Sequence, residues 1–463
     1  VAQVNPWMLP QLGLGPSSRI MHTVSSRECQ EHFEESVSAR DLRSNFLRFS
    51  VLFGILHGGV TTPLVIATSA LNPSVGFVGN ATLNIFTMLS TFLVAPALIA
   101  GLGLKVSILL GMFCYCVYAG LFAVAAWVCP VQQKLLQLAL FTVASCSGGV
   151  GAGVLWTSQG GYFGRTVDLL VRKEGAERPE LTSSLAGTFA FYYLGFEVTA
   201  KLLWSGLQRI GAEGWAIAAG FTLVGLLSTL LMTQASNLSS ADQGSSWRSK
   251  VTSATGLWSD PAVFLLSGLN LTFGFSAAFM NGYVNSKFTA VQIGPWAVPL
   301  FAAVTALVAA LLSKVLGPVA IRAGKGVVLS LGSLAFFCIA SSFFMLDQSQ
   351  GWHGWLLALY LMQGLGRAVY ESTSKGVFAD FFPGRAVGAF ANCMLQSSSA
   401  FAMCFFLSDV LQGPVLARIV LVLSVLTPLG YLSAVRLRAL EQQRLAAKAS
   451  SAQGGNAERD LGS

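Results

Sequence analysis

The stretch Gly364-Leu-Gly-Arg-Ala-Val-Tyr-Glu-Ser-Thr-Ser-Lys375 places three ionisable side chains, Arg367, Glu371 and Lys375, inside an otherwise apolar segment. Side chains four residues apart drift only about 40° per step around an α-helix, so the three share one face. A charge that faces lipid costs roughly 2.5–3.5 kcal/mol. This face is therefore predicted to turn toward protein or a wet cavity.

The composition around this stretch is that of a membrane protein. Of the 463 residues, 54% are hydrophobic and 10% are charged, whereas a soluble domain has about 25% charged residues. The net charge of +8 is attributed to an excess of Lys and Arg in cytoplasmic loops and not to nucleic-acid binding. The eight cysteines lack metal-ligand or redox spacing, so we expect no disulfide, metal site or cofactor.

The apolar runs predict twelve membrane spans. No charged residue occurs from 52 to 104, which suits two spans of about 20 residues with a turn at Asn72-Pro73. Spans 1 to 12 are predicted at 49–71, 80–102, 106–128, 135–160, 184–206, 214–235, 260–282, 292–314, 325–346, 353–376, 386–409 and 414–435. The predicted organisation is a terminal segment, a first half, a Ser-rich linker, a second half and a tail, over 1–45, 46–235, 236–259, 260–435 and 436–463.

The basic residues predict the orientation of these spans. Of the 28 Lys and Arg, those in the loops opposite the termini are Lys134, Arg209, Lys287 and Arg418, and two lie within spans. The others lie on the side of the termini. Because Lys and Arg accumulate in cytoplasmic loops, both termini are predicted to be cytoplasmic. The plasma membrane and the endomembranes both remain open as the location.

The two halves repeat each other in sequence. Residues 101–111 align with 322–332, and Gly149-Val-Gly-Ala-Gly-Val154 aligns with 364–369 at a similar offset. A parallel duplication of six spans is the plan of the major facilitator superfamily, whose functional cavity lies between the halves near the bilayer midplane. The sequence therefore predicts an all-α, twelve-transmembrane-helix major facilitator fold with two pseudosymmetric six-helix halves.

The second half also carries a modified superfamily motif. Gly317-Pro-Val-Ala-Ile-Arg-Ala-Gly-Lys325 is similar to the motif between spans 8 and 9, except that Ile321 replaces its acidic residue. The resemblance supports the fold. The missing acid argues against the charge-relay gating that the full motif implies in active transporters.

Several stretches resemble a narrower family. Gly151-Ala-Gly-Val-Leu-Trp-Thr-Ser-Gln-Gly160 with Tyr162, Gly366-Arg-Ala-Val-Tyr-Glu-Ser372 and Ala389-Phe-Ala-Asn392 resemble signatures of the Unc ninety-three-like ("uncoordinated", ion-channel regulatory) family. The resemblance covers about residues 46–435. It implies regulators of potassium channels or trafficking chaperones for receptors, so an ion channel or a receptor is an expected partner.

Charged side chains within the spans are the first candidates for a site. Arg367 and Glu371 form either a substrate or coupling face or an intrahelical ion-pair ladder, with Lys375 extending to the cytoplasmic interface. Glu197 and Lys201 in span 5 form a second pair at four-residue spacing. That pair either neutralises itself or takes part in proton coupling, and a switchable bridge to span 10 in the opposite half is conceivable.

Polar side chains within the spans are the second group of candidates. Trp156 and Gln159 close the Gly-rich part of span 4 and either line a cavity or pack against other helices. Asn392 and Gln396 in span 11 favour hydrogen bonding between helices. His57 in span 1 is either a core histidine or a proton site.

Two functional hypotheses follow. The first is transport of a small solute or ion by alternating access, with Arg367, Glu371 and Glu197 in the central cavity. The second is a non-transporting regulatory subunit of an ion channel, or a trafficking chaperone, as the resemblance implies. The sequence contains no catalytic or nucleic-acid-binding motif, so an enzyme is not expected. The lipid bilayer is the expected environment, and the solute stays unnamed.

Overall fold

The computed structural model describes residues 37–128, 133–238, 252, 255–346, 351–382 and 385–460. Most of the predicted segment 1–45, most of the linker 236–259, and Cys29 and Cys129 lie outside these residues. The described chain is helical and contains no β-strand. Its α-helices are Ala39–Ala70, Pro73–Leu89, Ala95–Trp127, Lys134–Glu174, Arg178–Arg209, Gly214–Met232, Pro261–Leu265, Ser267–Ala278, Ala290–Gln292, Ala297–Ala323, Lys325–Met345, His353–Val369, Lys375–Phe381, Ala386–Val410 and Gly413–Asp460, with π-helical stretches at Ser90–Val94, Phe279–Thr289 and Tyr370–Ser374.

Local chemistry divides the long apolar run into spans. The Asn72 side chain accepts a hydrogen bond from the Ser74 amide at 3.2 Å, and Pro73 occupies the first helical turn, where its missing N–H costs nothing. Spans 2 and 3 are separated at Gly103, whose φ of 78° is a left-handed conformation that suits glycine. The predicted turn at Asn72-Pro73 is therefore explained by a helix cap.

Length and apolar composition qualify nine helical segments of the described chain as membrane-crossing. One of them, Pro73–Trp127, contains both span 2 and span 3. The two predicted spans outside this set are spans 5 and 10, formed by Arg178–Arg209 and by residues 353–381, and they are the two that carry Glu197 and Arg367. The helices therefore account for the twelve-helix fold, and the two polar ones carry the candidate charges.

Each half has its own apolar core. The first half buries Phe49 and Phe122, and the second buries Phe275 and Tyr360. The principal contacts between the halves pair span 2 with span 11, span 5 with span 8 and span 1 with span 7. We call the side of the bundle where span 1 begins, at Ala39, the terminal side, and the opposite side the far side.

Glycines allow span 4 to pack closely on span 2. A Cβ atom added at Gly149 would lie 2.4 Å from the Leu83 carbonyl oxygen, and one at Gly153 would lie 1.9 Å from Ser90 Oγ. The Ser90 hydroxyl also donates a hydrogen bond to the Gly149 carbonyl oxygen at 3.1 Å. The repeated glycines thus serve close helix packing.

Replacing Gly153 by Ala should lower the free energy of unfolding by about 1–3 kcal/mol, because the added methyl group overpacks the contact between spans 2 and 4. Thermal unfolding in detergent measures the effect. Gly160→Ala on the same helix is the matched control, since no heavy atom lies within 4 Å of its added Cβ. Equal midpoints for the two variants would contradict the packing role.

Candidate functional site

Glu197 is the centre of a buried charge cluster. Its two carboxylate oxygens accept hydrogen bonds from Arg367 Nη1 and Nη2 at 2.9 Å and 3.0 Å. Its Oε1 also accepts one from the ammonium of Lys201, one turn further along span 5. The side chains of Glu197 and Lys201 are each 2% exposed, and that of Arg367 is 19% exposed. We call the Glu197–Arg367 ion pair, which joins the two halves, the central bridge.

An aromatic wall closes one side of this cluster. His57 Nε2 lies 3.7 Å from Glu197 Oε2. The imidazole ring stacks on Phe53 and meets Trp156 and Tyr193 edge to face, with ring centroids 5.3 Å and 5.4 Å away. The other ring nitrogen, Nδ1, is buried without a hydrogen-bond partner among the described residues. His57 therefore has three aromatic neighbours and one carboxylate.

Glu371 and Lys375 form a separate pair toward the terminal side. Lys375 Nζ donates to Glu371 Oε2 at 2.6 Å, and the two side chains are 43% and 28% exposed. The ladder between Arg367 and Glu371, one of the two predicted alternatives, does not form here, because Arg367 bonds to Glu197. The π-helical stretch Tyr370–Ser374 breaks the regular step per residue on which that expectation depended.

The remaining predicted residues lie apart from the charges. Trp258 Nε1 donates to Asn392 Oδ1 at 2.8 Å, and Asn270 Nδ2 donates to Gln396 Oε1 at 2.7 Å. These bonds join span 11 to span 7 and to the residues just before it. Gln159 is half-buried on span 4, three residues beyond Trp156. Of the polar candidates, the structure therefore brings His57 against Glu197 and Trp156 against His57.

Sequence reasoning missed two features of this site. The first is Tyr193, which precedes Glu197 and Lys201 by four and eight residues and therefore shares their helix face. That spacing was the available signal. The second is the partner residue in span 10. A bridge from span 5 to span 10 was among the predictions, but no local spacing indicates that Glu197 pairs with Arg367, 170 residues away.

The far side is closed by hydrogen bonds between the halves. Thr68 Oγ1 donates to the Asn281 carbonyl oxygen at 3.0 Å, Asn285 Nδ2 donates to the Val65 carbonyl oxygen at 3.0 Å, and Ser205 Oγ donates to the Trp296 carbonyl oxygen at 2.7 Å. We call these three bonds the far-side seal. Thr68 Oγ1 also donates to the Gly282 carbonyl oxygen at 3.3 Å on this side, whereas the Arg367–Glu197 and Ser399–Met88 bonds join the halves in the middle of the bundle. The cluster thus lies between a closed far side and a terminal side with exposed charges.

A cavity of about 620 Å³ lies at the terminal side of the second half, away from Glu197. Asp260, Asp380, Arg385 and Arg438 are among its lining residues. Three of these four charges are already paired, since Arg438 Nη2 donates to Asp260 Oδ2 at 2.5 Å and Lys325 bonds to Asp380. The described residues contain no group of three or more His, Cys, Asp or Glu side chains that could hold a metal ion. The central cluster is therefore the candidate site.

Because the cluster is buried, removing the negative charge of Glu197 should lower the stability of the protein. Glu197→Gln leaves Arg367 and Lys201 without their shared carboxylate and should lower the free energy of unfolding by about 3–5 kcal/mol. Glu371→Gln should cost no more than about 1 kcal/mol, because its ion pair is partly exposed. Denaturant unfolding in detergent measures both, and equal losses would contradict the central position of Glu197.

Comparison with known sequences identifies two similar proteins. No protein-family model matches the chain. It is 23% identical over 361 residues to protein unc-93 homolog A of Bos taurus, covering 69% of this chain and 76% of that protein. It is 22% identical over 395 residues to protein unc-93 homolog A of Mus musculus, covering 76% and 84%. The predicted resemblance to the Unc ninety-three-like family is thus confirmed.

Two solved structures with the same fold are named as transporters. The nucleoside transporter NupG, as a D323A mutant, matches with a TM-score of 0.60 and 15% identity, over 85% of this chain and 99% of that one. A POT family transporter in complex with a thioalcohol-conjugated peptide matches with a TM-score of 0.63 and 12% identity, over 85% and 96%. The chain therefore has the twelve-helix major facilitator fold of a multi-pass integral membrane protein.

Proposed function

We propose that this chain, which has the major facilitator fold and resembles the Unc ninety-three-like proteins, moves a small solute or ion across a membrane by alternating access. The fold supports this proposal, because the solved proteins that share it are named as transporters of nucleosides and peptides. The proposal assigns no catalytic step and no cofactor to the chain. The lipid bilayer surrounds the helices, and the solute binds between the halves.

The observation that carries the proposal is the central bridge. Alternating access needs a contact that holds the halves together on one side and can be broken when they separate. The Glu197–Arg367 pair joins span 5 to span 10, in opposite halves. When it breaks, Lys201 keeps the carboxylate paired, so separation leaves no buried acid alone. The bridge is thus the element that the transport cycle makes and breaks.

The other side chains acquire roles around this bridge. Glu371 and Lys375 lie at the approach from the terminal side, where an entering solute would meet them. Trp156 and Tyr193 provide an apolar wall beside the bridge. Gln159, Asn392 and Gln396 are assigned to the helices that frame the cavity and not to the solute.

The proposal includes an orientation and a domain division. Both termini are placed in the cytoplasm, because the basic residues concentrate on the terminal side. The far-side seal then closes the side of the bundle that faces away from the cytoplasm. The moving units are proposed to be residues 46–235 and 260–435, and the membrane is the plasma membrane or an endomembrane.

A second candidate function is a non-transporting regulatory subunit of an ion channel, or a chaperone for a membrane receptor. Two observations favour it. The chain resembles unc-93 homologues, and the motif position that usually holds an acid is Ile321, whose side chain is 86% exposed. In this case the central bridge would hold the halves permanently in one arrangement.

Charge movement on a supported membrane distinguishes the two candidates. Purified protein in liposomes is tested with protons, potassium, sodium and small organic ions, and uptake of neutral solutes is measured in parallel. Transport in the wild type should fall about 5- to 150-fold in Arg367→Gln, the range expected for a coupling free energy of about 1–3 kcal/mol. This variant leaves the Glu197–Lys201 and Glu371–Lys375 pairs intact, so it should fold.

Glu441→Gln is the control for the transport measurement, because Glu441 is a partly exposed acid on the terminal helix. It should transport as the wild type does. Wild-type transport in Arg367→Gln would refute the role of the bridge. Silence of the folded wild type toward both ions and neutral solutes would favour the regulatory candidate.

A further inference from the structure

His57 has a buried imidazole side chain that has no role in the transport cycle as proposed above. Its side chain is 8% exposed. Phe53, Trp156 and Tyr193 surround the ring. The remaining direction faces the Glu197 carboxylate. A core histidine usually has both ring nitrogens satisfied, yet Nδ1 here has no partner among the described residues.

The carboxylate oxygens of Glu197 are not equivalent. Oε1 accepts from both Lys201 and Arg367 Nη1. Oε2 accepts from Arg367 Nη2 at 3.0 Å and faces His57 Nε2 at 3.7 Å. Without Arg367, Oε2 keeps His57 Nε2 as a neighbour at 3.7 Å. The histidine is therefore positioned to take the place of one arm of the guanidinium.

Charge balance links this substitution to a proton. With the central bridge closed, Glu197 shares the site with two cations, so a third positive charge on His57 is opposed by both. When Arg367 departs, one cation remains, and a protonated His57 restores the original charge around the carboxylate. The departing Arg367 has Glu371, four residues further along its own helix, as an alternative acid.

We propose that His57 is the proton-binding site of the transport cycle, and that it takes a proton when Glu197 releases Arg367. The inference rests on the proposed function and names its coupling ion. Bulk water supplies the proton, which adds to the free ring nitrogen, so that the imidazolium directs an N–H from Nε2 to Glu197 Oε2. The proton returns to water when Arg367 closes the bridge again.

Other ionisable groups around His57 are less suited to this exchange. Span 5 presents Tyr193, Glu197 and Lys201, span 10 presents Arg367 and Glu371, and span 4 presents Trp156, which does not titrate. The tyrosine and the lysine ordinarily titrate far above neutral pH, and Glu197 is held by two cations. Histidine ordinarily changes charge at about pH 6.5.

The linkage has a definite sign. If the open-bridge state binds one more proton than the closed state, lowering the pH must favour the open state, by up to about tenfold per pH unit. An open bridge frees the halves to separate at the far-side seal. Amide exchange around Thr68, Asn285 and Trp296 should therefore become faster as the pH falls from about 8 to about 6.

The test is hydrogen–deuterium exchange of the full chain in lipid nanodiscs across this pH range, after correction for intrinsic exchange rates. In the wild type, exchange at the far-side seal should rise up to about tenfold per pH unit. His57→Gln should lose this dependence. His353→Gln, which removes an exposed histidine at the start of span 10, is the matched control and should keep it.

Arg367→Gln separates the failure of this inference from the failure of the bridge. It should show fast exchange at the seal at every pH, because the bridge cannot close. Suppose that Arg367→Gln exchanges fast. If exchange in the wild type is then independent of pH, or if His57→Gln keeps the pH dependence of the wild type, the proton site is overturned and the bridge is retained. Slow exchange in Arg367→Gln would overturn the bridge and the proton site that depends on it.

Discussion

The structure depends on the burial of one carboxylate. An isolated acid in the interior of a membrane protein is too costly to keep charged, so Glu197 requires cations, and each cation requires an anion in turn. Lys201 comes from its own helix and Arg367 comes from the opposite half. Removing the first half would leave Arg367 without the carboxylate that it pairs with here. The same electrostatic requirement that stabilises the buried charges therefore couples the two halves.

The two four-residue spacings give these charges alternative partners. Within span 5, Glu197 can pair with Lys201, and within span 10, Arg367 can pair with Glu371. In the structure Glu197 pairs with both Lys201 and Arg367, and Glu371 pairs with Lys375. An arrangement with two sets of partners is a natural basis for two conformations, because neither set leaves a buried charge unpaired.

Much of the fold could be predicted from the sequence, for identifiable reasons. The uncharged run from 52 to 104, the turn at Asn72-Pro73 and the glycines repeated in spans 4 and 10 are local patterns, and local patterns determine spans. The composition of the candidate site was also accessible, since charges within apolar segments are rare. The pairing of Glu197 with Arg367 was not, because it depends on how two distant helices meet and on the π-helical stretch after Arg367. Tyr193 was overlooked because an aromatic residue in a membrane span is ordinarily core material.

In the far-side seal, side chains supply the hydrogen-bond donors and the backbone supplies the acceptors. All three of its acceptors are main-chain carbonyl oxygens, at Val65, Asn281 and Trp296, whereas its donors are the small side chains of Asn285, Thr68 and Ser205. Exchange of the side chain at an acceptor position leaves the acceptor atom in place. Substitutions at the three acceptor positions therefore keep the hydrogen-bond acceptors of the seal. The seal depends on the side chains of its donors, which are two hydroxyl groups and one amide.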